Sequence, residues 1–313
     1  REVLANLATA VRHSLAQAQP VTHLGLGEAD VEKVASNRRI FGPNGKVRAV
    51  RYTACRDEDL RAAPEGTIDP AVSLVSFWNG ERPVAILSYY ATHPQSYYRT
   101  GIPNPDFPGV ARFERQLKLP GALHVHFNGA GGNIGAGKYN DGSPTNRFVL
   151  AQRLEEGMRQ AWQNTKREPL QAEEVAWLVE PVALPPSKHL VGAELEAMVE
   201  KRDPSLVQIG NASRLAWLRR CEAGHKIDLT CLKLGSARIV HMPGELFVEY
   251  QLAAKSFAPD HFVAMAAYGD YGPWYIGTEV SYSEGGYEVE PRSSNVAPQV
   301  EQVLMDGMRK LLP

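Results

Sequence analysis

Three stretches of this 313-residue chain hold side chains able to do chemistry. His93 stands in Y-Y-A-T-H-P-Q-S at the end of an apolar run, where an imidazole can move a proton or bind a metal. Glu245 follows Pro243 and Gly244 in H-M-P-G-E, and Tyr275 opens Y-I-G-T within an aromatic cluster that includes Tyr268, Tyr271 and Trp274. Each also has an ordinary structural reading: a hydrogen-bonded histidine, a carboxylate favoured at a helix N-terminus, an aromatic that packs in a core or stacks on a sugar. His124 and His126 form an H-x-H pair whose side chains share one face of a strand, a geometry that serves either a metal or a polar substrate pocket. The glycine-rich loop Asn128 to Gly137 follows. It is not a nucleotide fingerprint, because position 134 is isoleucine, no helix begins there and no G-K-[ST] comes after it. The glycines suit backbone amides that approach an oxyanion or a sugar hydroxyl, with Lys138 to Gly142 extending the polar lining; a solvated turn is the competing reading. His241, just before P-G-E, is placed to orient Glu245.

The elements that must position these groups can be read from periodicity. Val3, Leu7, Val11 and Leu15 predict an amphipathic helix from Glu2 to Gln19, ending before Pro20. Val72 to Trp78 and Val84 to Ala91 read as paired strands around an Asn79-Gly80 turn, and Ala122 to Phe127 as a third, buried strand. Ser143 as N-cap with Pro144 at the first helical position starts a helix that runs to Lys166. Further helices are expected over Gly192 to Lys201 and Pro204 to Cys221. Strands Cys231 to Met242 and His261 to Tyr268 flank a helix from Glu245 to Phe257. Strands alternating with helices predict an α/β class with mixed sheets flanked by helices, layered in one catalytic domain over residues 1–313. Leu184-Pro185-Pro186-Ser187 is the best sub-boundary, and no internal repeat is seen.

With 34 basic and 35 acidic residues the net charge is -1, which gives no electrostatic footprint for nucleic acid or an anionic membrane surface. Three scattered cysteines make no disulfide framework or C-x-x-C centre, although one disulfide is possible. No apolar run reaches the ~20 residues of a membrane span, and no signal-peptide pattern opens the chain. The chain begins inside a helix-like segment, so a missing amino-terminal portion is expected.

Taken together the motifs resemble the neutral/alkaline, non-lysosomal ceramidase family over most of the chain. His93-Pro94-Gln95-Ser96 is similar to the H-P-T-S context of the family's second zinc-ligand histidine, and Met242-Pro243-Gly244-Glu245 to the G-M-P-G-E that carries its ligand glutamate. Tyr275-Ile276-Gly277-Thr278 and Tyr287-Glu288 resemble, in wording and separation, the segments of its ligand tyrosine and of the tyrosine that polarises the substrate carbonyl. Asn37-Arg38 is similar to an N-R pair whose arginine points into the active site, and Asp106 in P-D-F-P-G-V-A to the aspartate of G-D-N-K-G-Y-A. The resemblance implies zinc held by His93, Glu245 and Tyr275, and catalytic roles for Tyr287 and Arg38 and for Asn133 and Gly135 in the glycine loop. The substrate is expected to be a small molecule, lipid-like or glycan-like, touched by Asp106 on the resemblance and by Asn128, His124, His126 and Trp274 on their own spacing and chemistry. Export from the cytoplasm follows from the resemblance alone.

Two departures change the chemistry. Where the family reads G-D-V-S-P-N, this chain reads Gly132-Asn133-Ile134-Gly135-Ala136-Gly137, so neither a serine-dependent mechanism nor ceramide specificity carries over. The family's first ligand histidine, in H-T-H-S, has no counterpart; it lies outside this chain or the site is rebuilt, with the H-x-H pair as substitute. The expected reaction is zinc-activated water attacking an amide or ester carbonyl, the oxyanion steadied by Tyr287 and glycine-loop amides and the substrate fixed by Arg38. The alternatives are a glycan-active or lyase-type enzyme on the same metal scaffold, and a degenerate binder of a polar ligand.

Overall fold

The computed structural model describes residues 1–98, 100–201 and 206–312. Its first sheet is built from β1 (His23–Asp30), β2 (Ala71–Asn79), β3 (Arg82–Tyr90), β4 (Leu123–Asn128) and β5 (Lys166–Pro169) in the spatial order β4-β3-β2-β1-β5. All neighbours are antiparallel except β3 and β4. The second sheet runs β6 (Val175–Val182), β7 (Ile227–Leu234), β8 (Ala237–His241) and β9 (Phe262–Ala266), with only β8 and β9 parallel.

Strand alternation explains the layering, because successive side chains point to opposite faces. Leu24, Val75 and Tyr89 of the first sheet meet Leu234, Ala237, Ile239, Ala264 and Ala266 of the second in one core between the sheets. On its other face Val72, Leu74, Ile86 and Tyr90 pack against α2 (Asp106–Lys118) and α3 (Thr145–Gln163). Beyond the second sheet, Leu229, Cys231, Val240, Val263 and Met265 are covered by α5 (Leu206–Glu222), α6 (Val248–Phe257) and α7 (Val300–Leu311), with α4 (Gly192–Glu200) adding Leu195. The fold is α/β, mixed sheets with helices outside both.

Several expectations shift. The first helix, α1, spans Glu2–Leu15 and buries none of its residues; its apolar stripe is exposed, Val3 at 77%. The expected single strand Cys231 to Met242 is a hairpin, β7 and β8, because Gly235 takes φ +50° in the turn. The third strand, β4, is the edge of its sheet and only half-buried, with Leu123 facing solvent. Ser143 makes no side-chain cap, since Pro144 already holds helical angles at the start of α3. Pro204 and Ser205, the expected start of α5, fall outside the described residues. Among the described residues no helix is long and apolar enough to cross a membrane.

Candidate active site

The two parallel strand pairs bring four loops to one place. The carbonyl of Asn128, ending β4, accepts from Ala267 N just past β9 at 3.0 Å, so the C-terminal ends of both parallel pairs meet there. Open α/β sheets place ligands at such ends. The loop after β3 supplies His93, the loop after β4 the glycines, the loop after β8 Glu245, and the loop after β9 the tyrosines.

Glu245 is not at a helix start, since α6 begins at Val248. Instead Glu245-Leu246 pairs in parallel with Tyr275-Ile276, which sets Glu245 beside Tyr275 in register. Gly244, at φ +61°, makes the turn possible, and a side chain there would strike the Trp274 carbonyl at 2.5 Å.

His93 is buried, and its Nδ1 lies 2.6 Å from the Gly131 carbonyl and 2.9 Å from that of Ile134. Two carbonyls can only accept, so Nδ1 carries a proton and Nε2 is left to meet the site. Nε2 lies 2.8 Å from Glu245 Oε2 and 3.2 Å from the Tyr275 hydroxyl. At this distance the carboxylate oxygen and the imidazole nitrogen share a hydrogen bond. Burial pushes the Glu245 carboxyl up, but His93 with the Tyr271 and Tyr275 hydroxyls outweighs it and holds the group below the usual carboxylate range. The Tyr271 hydroxyl donates to Glu245 Oε1, and the Tyr287 hydroxyl donates to Tyr275 Oη at 2.8 Å.

Arg38 lies behind the tyrosines, its guanidinium carbon 5.2 Å from the Tyr275 ring centre and 4.9 Å from that of Tyr287. Its Nε donates to Glu288 Oε1 at 2.8 Å, and another nitrogen donates to the Gly132 carbonyl at 2.5 Å. Burial opposes its charge, yet Tyr275, Glu288 and Tyr287 more than offset that and keep it protonated. Burial in turn raises the phenols of Tyr275 and Tyr287, although Arg38 pulls both down. His93, Glu245, Tyr275, Tyr287 and Arg38 therefore share one site. Tyr268, Tyr271 and Glu288 join them; Glu288 had only its neighbour Tyr287 as a signal in the sequence.

The other candidates hold different positions. Asn133 lies beneath the site with its amide fully engaged: Oδ1 accepts from Val248 N and Nδ2 donates to Glu249, both at 2.9 Å, so it caps α6 across the loop. Gly135 pairs with Ser36 in a two-residue bridge. Asp106 ties down the segment after His93, its carboxylate accepting from the amides of Ser96, Tyr97 and Phe107. The Trp274 ring carries Arg214 at 4.6 Å. Asn128, His124 and His126 line a separate cleft with Pro94.

Two expectations are corrected. His241 contacts Thr230 and Trp177 rather than Glu245, because the outer Glu245 oxygen is taken by Tyr271. In the glycine loop, three of the amides expected to meet an oxyanion are engaged within the protein. Gly129 N donates to Tyr90 O, Gly132 N to Leu246 O and Ile134 N to Gly131 O, so these amides are spent. A side chain on Gly132 would meet the Glu245 carbonyl at 2.4 Å.

The donor set fits a small cation. Ligand atoms 2.0–2.1 Å from zinc at a tetrahedral angle stand about 3.3 Å apart, close to the spacing around His93 Nε2. The protein donors are one imidazole, one carboxylate and one phenol; among the described residues no three His, Cys, Asp or Glu side chains converge.

His126 carries its own consequence. Burial, then Arg112, pushes its imidazole down to about 4, against an ordinary ~6.5. Between those values the unfolded chain binds a proton that the folded chain refuses, so stability is fully present above the window and falls as pH drops through it. Because the ring edge reaches the cleft, the expected loss is about 2 kcal/mol. Urea titrations on either side of the window should show it, and His126→Phe should flatten it; an unchanged acid limb in that variant contradicts the assignment.

The fold is similar to that of solved ceramidases. Neutral ceramidase from Pseudomonas aeruginosa superimposes with a TM-score of 0.64 at 16% identity, covering 96% of this chain and 54% of that one. A ceramidase complexed with C2 gives 0.63 at 14% identity, covering 94% and 53%. The likeness is one of fold, and the chain spans about half the length of these solved chains. No family model and no curated protein matches the sequence.

Proposed function

We propose that this chain is the catalytic portion of a zinc-dependent hydrolase that cleaves an amide or ester bond of a polar, lipid-like or glycan-like substrate. The observation that carries the reading is His93 Nε2 aimed at Glu245 and Tyr275 from a ring whose other nitrogen is tied to two carbonyls. The ceramidase fold supports it. Zinc is held by His93, Glu245 and Tyr275, and when bound supplies Lewis acidity and a water of pKa about 7.

The remaining work falls to the protein. Gly131 and Ile134 hold the His93 tautomer, and Tyr271 fixes which Glu245 oxygen faces His93. Tyr287 keeps its proton, now donated to Tyr275, and turning that O–H toward a developing carbonyl oxyanion makes it a neutral donor there. Arg38, clamped by Glu288, adds a fixed positive charge behind both phenols.

The test is a panel of chromogenic amides, esters and glycosides on zinc-reloaded protein, with metal content measured in parallel by mass spectrometry. Turnover of an amide or ester with about one zinc per chain is expected. Turnover of glycosides alone moves the chain to the glycan-active reading, and zinc retention without turnover of any probe makes it a binder.

A further inference from the structure

The tyrosine cluster contains one hydroxyl that the protein leaves unused. Tyr271 donates to Glu245, Tyr287 donates to Tyr275, and Tyr275 lies 3.2 Å from His93. Tyr268 Oη is buried among the same groups and makes no hydrogen bond. Buried hydroxyls are nearly always paired, because an unpaired one has given up water for nothing.

The backbone is arranged to hold this ring in place. Tyr268 has φ +66°, a left-handed conformation that bulky side chains avoid. Its N–H donates to the Gly244 carbonyl and the N–H of Gly269 to the Met242 carbonyl, both at 3.0 Å, so the strained residue is tied to the turn that delivers Glu245. The ring meets His93 edge to face, with centroids 6.4 Å apart and planes at 90°. Trp274, at φ +58° in the same loop, differs: Arg214 covers its ring at 4.6 Å, and packing accounts for it. At Tyr268 packing uses the ring and leaves the hydroxyl over. Strain of this kind gathers at ligand-binding sites.

The neighbouring protein groups do not supply an acceptor. The charges acting on the hydroxyl are Glu245 and then Arg38. The Glu245 oxygens are engaged by His93 and Tyr271, and a guanidinium can only donate. Burial and Glu245 push the phenol up by more than Arg38 lowers it, so the O–H keeps its proton. We propose that Tyr268 is a further donor of the active site, giving its O–H to an oxygen acceptor held beside Glu245, supplied by bound substrate or by the attacking water. This role rests on the hydrolytic reading above.

Tyr268→Phe deletes one oxygen and keeps the ring against His93. On zinc-reloaded protein, with the amide or ester probe that wild type turns over, kcat/KM should fall about ten- to a hundredfold. A rise in KM at constant kcat assigns the contact to a substrate oxygen, and a fall in kcat at constant KM assigns it to the attacking water. The melting temperature of the metal-free variant should equal or exceed that of metal-free wild type, because an unpaired buried hydroxyl is removed. A hydroxyl with a structural partner predicts the opposite. Unchanged kcat/KM, or a melting temperature lowered by several degrees, overturns the role of Tyr268 while leaving the hydrolase reading standing. Wild type that holds no zinc and turns over no probe defeats that reading, and this role with it.

Discussion

Glu245→Gln should abolish the proposed zinc binding and hydrolysis while leaving the fold intact. The amide is isosteric with the carboxylate, and its NH₂ can donate to His93 Nε2, which Glu245 Oε2 now faces at 2.8 Å. The acceptor for Tyr271 survives on the other side. The substitution thus keeps the hydrogen bonds and removes the negative charge a cation would need. A metal site is worth several kcal/mol to the transition state, so hydrolysis should fall by roughly 10³-fold or more. Metal content should drop from about one zinc per chain to background, with thermal stability of the metal-free protein equal to or above that of metal-free wild type. A variant that keeps both zinc and activity removes Glu245 from the ligand set.

The second large effect is on stability. Glu288 is fully buried, with Oε1 on Arg38 at 2.8 Å and Oε2 on Arg39 at 3.5 Å. Removing its charge leaves two buried guanidiniums with Glu284, at 3.1 Å from Arg39, as the remaining carboxylate partner among the described residues. Breaking a buried pair from one side costs about 3–5 kcal/mol, because the other charge stays desolvated. Glu288→Ala should lower the melting temperature by on the order of 10 °C. The exposed pair Glu156 with Arg159, at 2.5 Å, is the internal comparison, and Glu156→Gln should change stability by less than about 1 kcal/mol. Equal effects of the two substitutions in thermal melts would contradict the buried clamp.

The elements legible in the sequence are those whose own residues determine them. β2 and β3 show as apolar, β-branched and aromatic runs around Asn79-Gly80, and the structure pairs them antiparallel with Gly80 at φ +58°. β1 is hidden because Gly25 and Gly27 suppress its strand pattern. Those glycines answer to distant atoms: a side chain at Gly25 would lie 2.4 Å from Ser76 Oγ, and one at Gly27 2.1 Å from the Ala161 carbonyl. β6 is hidden by an inverted pattern, with Val175, Trp177 and Val179 exposed and Pro181 tolerated on an edge strand.

The site shows the same division. Residue types and local wording single out His93, Glu245, Tyr275, Tyr287 and Arg38, which the structure brings together. What sets Glu245 beside Tyr275 is a two-residue parallel pairing, too short to leave any periodicity. The engagement of Asn133 with the start of α6, and of Gly132 with the backbone beneath Glu245, depends on loops far apart in sequence.

That two-residue pairing also governs when the site can exist. Its strands begin at Glu245 and Tyr275, the imidazole comes from position 93, and the clamp on Arg38 from position 288. Contacts of such sequence separation form late, after loop-closure entropy has been overcome. During synthesis every residue through Tyr275 must leave the ribosome before the centre closes. If the proposed centre holds zinc, its retention reports that residues 93 to 275 have come together, and nascent chains released before Tyr275 should not close it.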